Sequence, residues 1–120
     1  MINVTSQKFR YNLSYIEPLQ YTMYHGTDQG DFYDWHLDDS DHMKSNNLIR
    51  KLSFSILLTE PDVEHVGGNF QIKVNKDNSN IIMKKGSIVF FPSYVLHRVT
   101  PVTEGTRISL VGWINGPNWV

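Results

Sequence analysis

Two histidines and one aspartate in this sequence have the types and spacing of metal ligands. His36 and Asp38 form a His-x-Asp unit within an aromatic-rich stretch, and His97 follows an apolar stretch far downstream. Residues i and i+2 of a strand project to the same side, so His36 and Asp38 can share one ion without backbone distortion. Two imidazoles and one carboxylate are the ligand set of a non-haem iron(II) centre with open coordination positions.

Each part of this set also has an ordinary structural interpretation when it is taken alone. A bare His-x-Asp is more often an exposed pair at a strand end, and a lone histidine such as His97 is more often a core or rim residue. The remaining histidines fall in polar turns and are not expected to bind metal: His25, His42 and His65. The segment 38–41 lacks the glycine and the distal glutamate of a calcium-binding loop.

Arg107 is a second candidate because it lies in the middle of an apolar strand pattern. A charge there is costly unless it is paired, and no Asp or Glu in the sequence is obviously placed to pair with it. The guanidinium fork suits a carboxylate bidentately, so the simplest partner is the far carboxylate of a dicarboxylic co-substrate such as 2-oxoglutarate. Ser109 shares the face of Arg107 and could add a hydroxyl contact. The alternative is a surface arginine on an edge strand.

Size and composition limit the functional classes. A chain of 120 residues can form one domain with a single core. A net charge of −1 provides no field to attract nucleic acid or an anionic membrane, and neither partner is expected. The absence of cysteine excludes disulfides, thiolate catalysis and zinc-finger sites. No signal peptide or membrane-spanning run is visible, so a soluble cytoplasmic protein is expected.

The hydrophobic pattern predicts an all-β domain. About eight short strands follow one another with turn signals at near-regular spacing, and no stretch is convincingly helical, as in a sandwich or jelly roll. Residues 1–18 form an N-terminal extension and residues 19–119 the β core. The predicted strands are 19–24, 32–37, 50–59, 69–74, 81–83, 87–91, 94–100 and 106–114.

Several motifs occur in one order along the chain. They are Tyr24, Tyr33-x-x-His36-x-Asp38, Arg50-Lys51-Leu52-Ser53, Gly67-Gly68, Gly86-Ser87, Phe91-Pro92-Ser93, His97-x-Val99-Thr100-Pro101-Val102-Thr103 and Gly105-x-Arg107-x-Ser109. In this order and spacing they resemble the iron(II)- and 2-oxoglutarate-dependent dioxygenases of the prolyl 4-hydroxylase-like superfamily, and most of all the PKHD-type hydroxylase branch. The resemblance covers about residues 19–119.

The resemblance implies a fold, a reaction and a set of site residues. The fold would be a double-stranded β-helix, a jelly-roll variant with iron between its two sheets. His36, Asp38 and His97 match the iron ligands, Arg107 matches the residue that pairs with the C5 carboxylate of 2-oxoglutarate, and Tyr24 matches a tyrosine that hydrogen-bonds this co-substrate. The implied reaction hydroxylates prolyl residues of a peptide or protein, yields succinate and carbon dioxide, and uses L-ascorbate as reductant.

Three aromatic residues are candidate substrate contacts under this resemblance: Tyr33, Trp35 and Trp113. Leu57 and Phe70 stand where some relatives carry a tyrosine or threonine that touches the co-substrate. Two alternatives of other classes remain, namely a cupin-like module that binds a metal or small acid without turnover, and a structural phage or bacterial protein that retains the barrel.

The short N-terminal extension implies either a minimal version of the fold or a fragment of a longer protein. Relatives carry an N-terminal helical segment that covers the larger sheet, whereas residues 1–18 provide little or no helical support. An uncovered face predicts either a homo-oligomer through that face or polar substitutions on it. Lys51, Ser53 and Ser55, which alternate with Leu52 and Phe54, favour the second solution.

Overall fold

The computed structural model describes residues 13–38 and 48–117, and these form ten strands and no helix. The all-β prediction is therefore confirmed, and no helix in the described ranges is long and apolar enough to cross a membrane. The strands are β1 (Tyr15–Ile16), β2 (Gln20–His25), β3 (Tyr33–His36), β4 (Leu48–Leu57), β5 (His65–Gly67), β6 (Phe70–Val74), β7 (Asp77–Ile81), β8 (Ile88–Pro92), β9 (Leu96–Val99) and β10 (Val102–Pro117).

The strands form two antiparallel sheets that face each other. The large sheet has the order β1-β10-β4-β8, and β2 and β5 also pair with β10. The small sheet has the order β3-β9-β6-β7. Strand β10 spans 16 residues, which allows it to pair with four other strands along its length. Residues on the facing sides of both sheets line one cavity, so the architecture is the predicted jelly roll.

Strand β4 presents its polar side chains to the interior. Ser53 is fully buried and bonds to Asp38, which follows a strand of the small sheet, while Leu52 and Phe54 pack on the opposite, outer face. The expectation that Lys51, Ser53 and Ser55 mark a solvent face is wrong, because all three are buried. Alternation identifies the two faces of a strand, but it does not show which face is inside when the interior contains a polar site.

Two hydrophobic clusters stabilise the sheets on their two sides. The inner cluster lies between the sheets and consists of Leu57, Phe70, Met83 and Phe91. The outer cluster consists of Leu52, Phe54 and Ile114, partly covered by Leu13 and Ile16 of the first described segment. Other apolar residues of the large sheet remain exposed, among them Tyr21, Met23 and Ile88. Self-association through this sheet stays a prediction.

The hairpin between β6 and β7 differs from the sequence prediction. Val74 pairs with Asp77, so the connection is the two-residue turn Asn75-Lys76, and Asn75 adopts a left-handed φ of 60°. Asparagine tolerates this conformation better than most residues. The predicted turn at 76–80 and strand at 81–83 are wrong, because the polar run Asp77-Asn78-Ser79-Asn80 is itself an exposed edge strand.

Gly112 of β10 makes room for an aromatic ring on the outer face. A Cβ at this position would overlap the ring of Phe54, which lies directly opposite in β4. We expect Gly112→Ala to lower the free energy of unfolding by about 1–3 kcal/mol, the usual cost of overpacking. Urea unfolding measures this change. Adding Phe54→Leu should recover part of the loss, and fully additive effects of the two substitutions would contradict the proposed overlap.

Candidate active site

The pairing of β3 with β9 brings the two histidines and the aspartate together. His36, the last residue of β3, lies opposite His97 in this pair, and Asp38 is two residues further along the chain. The Oδ1 atom of Asp38 is 3.3 Å from Nε2 of His36 and 3.2 Å from Nε2 of His97. One ligand atom from each residue lies within 4.8 Å of the others, so these three residues could hold one metal ion.

Backbone carbonyls orient both imidazole rings. Nδ1 of His36 is 2.7 Å from the carbonyl oxygen of Asp34, and Nδ1 of His97 is 2.8 Å from that of Val95. A carbonyl oxygen only accepts hydrogen bonds, so each Nδ1 carries the proton, and Nε2 of the neutral ring is left as an acceptor. Two such Nε2 atoms and a carboxylate oxygen repel one another at these distances. A cation placed between them would remove the repulsion, as is typical of histidine metal ligands.

Asp38 is held as a carboxylate by its surroundings. Burial raises its pKa, but when the two rings are protonated the hydrogen bonds from His36 and His97 and the charge of His97 bring the pKa far below its usual value. The hydrogen bond from Ser53 lowers the pKa of Asp38 whether or not the rings are protonated. The Ser53 hydroxyl donates to Oδ2 over 2.6 Å and lies 2.9 Å from the Ser93 hydroxyl. Oδ2 is thus fixed by serine, and Oδ1 is directed at the imidazoles.

The two serines are functional residues that the sequence analysis missed. Both belong to motifs that carried the resemblance, but neither was connected with Asp38. Ser53 lies in β4 opposite Phe91 of β8, and Ser93 follows β8 directly, so the β4–β8 pairing puts the two hydroxyls side by side. The backbone of Ser93 also accepts a hydrogen bond from the Asp38 amide over 2.9 Å.

We expect Ser53→Ala to weaken metal binding by about 10- to 100-fold, because the carboxylate loses the partner that fixes its orientation. Equilibrium titration of iron(II) under anaerobic conditions measures this effect. Ser55→Ala is the matched control, since Ser55 lies two residues along the same face of β4 and is also buried. Equal iron affinity of Ser53→Ala and Ser55→Ala would contradict the orienting role.

Arg107 is a buried cation without a carboxylate partner among the described residues. Its side chain is 3% exposed, its Nε atom has no hydrogen-bond partner within residues 13–38 and 48–117, and Nη1 is 3.4 Å from the Ser109 hydroxyl. Burial lowers the pKa of Arg107 and Tyr24 raises it, but an arginine stays charged in a protein. Tyr24 lies opposite Arg107 in β2. Burial has the opposite effect on this phenol: it raises the pKa of Tyr24, so the hydroxyl keeps its proton.

One cavity of about 340 Å³ joins the two parts of the site. This volume falls within the range of small-molecule sites. The cavity extends from the histidine–aspartate cluster to Arg107, so a small ligand could contact both. The predicted site residues that line it are His36, Asp38, His97, Arg107, Tyr24, Ser109, Tyr33 and Trp113.

The three aromatic candidates lie in different places. Tyr33 is half exposed and stacks on His36 with ring centroids 3.6 Å apart. Trp113 lines the cavity, and the Arg50 guanidinium lies 4.0 Å from its ring. The Nε1 atom of Trp113 is buried and has no hydrogen-bond partner in the part of the chain that the structure describes. Trp35 lies apart from Tyr33 and Trp113 and does not line the cavity. Its ring packs against the Arg98 guanidinium of the small sheet, 4.5 Å away. This position is expected because adjacent residues of a strand, here Trp35 and His36, point to opposite faces.

Two of the other histidines, His25 and His65, lie in strands and not in the polar turns that the sequence predicts. His25 is exposed at the end of β2, whereas His65 is 3% exposed and belongs to strand β5. The expectation that His65 lies in a polar turn is wrong, because residues 65–67 pair with β10. His42 and the predicted loop at 39–47 lie outside the described residues.

Comparison with known proteins identifies the family. The profile of the 2OG-Fe(II) oxygenase superfamily matches residues 19–115. The chain belongs to this superfamily. It is similar to a PKHD-type hydroxylase of Hyphomonas neptunium, with 36% identity over 84% of this chain and 46% of the relative. It is also similar to a PKHD-type hydroxylase of Idiomarina loihiensis, with 35% identity over 72% of this chain and 38% of that relative. The chain thus spans less than half the length of these relatives.

Solved structures confirm the fold of this oxygenase chain. A Pseudomonas putida prolyl-4-hydroxylase superposes with a TM-score of 0.77 and 26% identity, over 96% of this chain and 60% of that one. A viral collagen prolyl hydroxylase from Paramecium Bursaria Chlorella virus-1 superposes with a TM-score of 0.71 and 22% identity, over 98% of this chain and 72% of that one. The prediction of a double-stranded β-helix is confirmed.

Iron(II) and 2-oxoglutarate, which the superfamily implies, fit the residues present. Two Nε2 acceptors and an ionised carboxylate converge where a cation would relieve their repulsion. At the other end of the cavity, a buried guanidinium with an unpartnered Nε is suited to a ligand carboxylate. The donor set contains no sulfur, as expected for an iron(II) oxygenase site.

Proposed function

We propose that this chain hydroxylates prolyl residues of a peptide or protein, with iron(II), 2-oxoglutarate and dioxygen as reactants and succinate and carbon dioxide as co-products. The single observation that carries the proposal is one cavity that holds a His-Asp-His cluster at one end and, at the other, a buried arginine with no carboxylate partner among the described residues. The prolyl preference is supported by the similarity to PKHD-type hydroxylases and to the Pseudomonas putida prolyl-4-hydroxylase.

In this proposal each end of the cavity has its own task. His36 and His97 bind iron through Nε2, and Asp38 binds it through Oδ1. When bound, iron(II) supplies dioxygen activation coupled to decarboxylation of 2-oxoglutarate, so that one oxygen atom enters succinate and the other enters a substrate C–H bond. Arg107 pairs with the far carboxylate of the co-substrate, assisted by the hydroxyl groups of Tyr24 and Ser109.

Aromatic rings around the cluster limit access of water and hold His97 in place. Phe91 packs against the His97 ring at a centroid distance of 4.6 Å, and Phe70 does so at 5.9 Å. On the open side, Tyr33 and Trp113 offer apolar ring surface for a substrate side chain, and we assign them to substrate contact. Trp35 supports the small sheet from its other face.

The test is a panel of proline-containing and proline-free peptides incubated with the chain, iron(II), 2-oxoglutarate and L-ascorbate as reductant. We expect succinate in amounts that match a one-oxygen mass gain on proline. Succinate with oxidation of another residue type would overturn the prolyl assignment and keep the oxygenase. Absence of succinate with every peptide, while iron still binds, would favour a binding module without turnover.

A further inference from the structure

The outer face of the small sheet carries an ordered group of cationic, aromatic and amide side chains. His97 of β9 and Ile72 of β6 pack toward the interior, so the residues that alternate with them point outward. Strand pairing puts Arg98 next to Gln71 and, on the following strand, Asn80. We call this group, with two further members, the basic patch, and it consists of Trp35, Gln71, Lys73, Asn80 and Arg98.

Two cations of the basic patch lie against one indole ring. The Arg98 guanidinium is 4.5 Å and the Lys73 ammonium 5.1 Å from the centroid of the Trp35 ring, and all three side chains are half-buried. Neither cation has a carboxylate partner among residues 13–38 and 48–117. The neighbouring Asp34 carboxylate instead accepts a hydrogen bond from the Trp35 amide over 2.8 Å. Two like charges held close together without an anion repel each other, so the patch is suited to an anionic partner.

The Arg98 side chain is oriented before any partner binds. Its Nε donates to Oε1 of Gln71 over 2.7 Å, and Nε2 of Gln71 donates to Oδ1 of Asn80 over 2.6 Å. With Nε and one face of the guanidinium engaged, both Nη groups are left without an acceptor in the described part of the chain. A guanidinium that is fixed in this way can bind a carboxylate through two parallel hydrogen bonds at a low entropic cost.

The spacing of the two cations fits acidic side chains two residues apart. Lys73 and Arg98 are diagonal neighbours in the β6–β9 pair, where such positions are about 7–8 Å apart. Alternate residues of an extended peptide are about 7 Å apart, at roughly 3.3 Å per residue. A nucleic acid is less suited, because its affinity depends on many phosphate contacts and the patch offers two cations on a chain of net charge −1.

We propose that the basic patch is a docking site for an extended acidic segment of a protein, in which two carboxylates two residues apart bind Arg98 and Lys73. Trp35 is a candidate substrate contact that does not line the cavity, and this docking gives it a role on the opposite face of the strand that carries His36. Docking involves neither metal nor co-substrate, so it goes beyond the proposed function and can fail independently of it.

The experiment measures binding of fluorescein-labelled peptides to the full chain by fluorescence anisotropy at low ionic strength. The acidic probe contains Glu-Ser-Glu within a glycine–serine sequence, and two control probes contain Gln-Ser-Gln and Lys-Ser-Lys. We expect the acidic probe to bind at least about tenfold more tightly than either control. Arg98→Gln should weaken its binding about tenfold and Arg98→Lys by less, because an ammonium keeps the charge without the fork. Lys84→Gln removes an exposed cation outside the patch and should leave the affinity within a factor of about two.

Each outcome bears on one claim. Equal affinity for the acidic and the Gln-Ser-Gln probes, or equal losses in Arg98→Gln and Lys84→Gln, would overturn the docking site, since they indicate weak attraction by any surface cation. Tighter binding of a single-stranded DNA than of the acidic probe, lost in Arg98→Gln, would overturn the choice of a peptide as the partner. Absence of succinate formation together with intact probe binding would overturn the proposed function and leave the docking site.

A measurement on the wild type avoids dependence on the folding of variants. In ¹⁵N-labelled protein the indole Nε1–H resonance of Trp35 is assigned by its absence in Trp35→Phe. It should move on addition of the acidic probe and stay in place on addition of the Lys-Ser-Lys probe, while the resonance of Trp113 in the cavity moves with neither. Movement of the Trp113 resonance alone would place the acidic peptide in the cavity and contradict docking at the basic patch.

Discussion

His97→Ala is expected to abolish iron retention and, with it, all succinate formation. His97 is 5% exposed, lies opposite His36 and directs Nε2 at Asp38. Its loss leaves two ligands and opens a void beside Phe91. Because removal of a residue that only orients a ligand already costs about 10- to 100-fold in metal affinity, loss of a ligand should cost more than 100-fold. Anaerobic dialysis against iron(II), followed by metal analysis, measures the effect.

His25→Ala is the matched control for this experiment. His25 is an exposed histidine at the end of β2, and it does not line the cavity. We expect one iron per chain in this variant and in wild type. Unchanged iron content in His97→Ala, in a protein whose thermal unfolding shows that it is folded, would show that His97 is not a ligand.

The second large effect concerns Arg107→Met, which keeps much of the side-chain volume and removes the charge. We expect the KM for 2-oxoglutarate to rise by about 100- to 1,000-fold, because hydrogen bonds to charged groups contribute about 1.5–3 kcal/mol each and a guanidinium makes two with a carboxylate. Iron affinity should stay near that of wild type. Succinate formation at increasing 2-oxoglutarate concentration, with iron saturating, gives both KM and kcat.

Arg98→Met provides the control, since the Arg98 guanidinium lies over Trp35 on the far face of the small sheet. It should leave the co-substrate requirement unchanged. Arg107→Lys should fall between wild type and Arg107→Met, because an ammonium keeps the charge but loses the fork geometry. Equal KM values for wild type and Arg107→Met would contradict the carboxylate-anchoring role.

Local pattern and the family resemblance together predicted the convergent part of the site. The His36-x-Asp38 spacing follows directly from strand alternation, and an arginine in an apolar strand indicates a missing anionic partner. The apolar runs also predicted most strands of the two sheets. These features depend on neighbours within one strand, which a single sequence displays.

Features that depend on pairing between strands could not be predicted in the same way. The inward direction of Ser53, and its bond to Asp38, follow from how β4 sits between β10 and β8. Burial of His65 depends on its pairing with β10 across a polar, glycine-containing segment. The position of Trp35 was predictable in principle, because a residue next to His36 in a strand must face the other way.

Anomalous diffraction from crystals of this chain grown with Mn(II) as a substitute for iron(II) tests the central claim most directly. We expect one strong peak within bonding distance of Nε2 of His36, Oδ1 of Asp38 and Nε2 of His97, at the end of the cavity away from Arg107. A peak at any other group of side chains, or no peak although calorimetry shows that Mn(II) binds, would contradict the assignment of these three residues as the metal site.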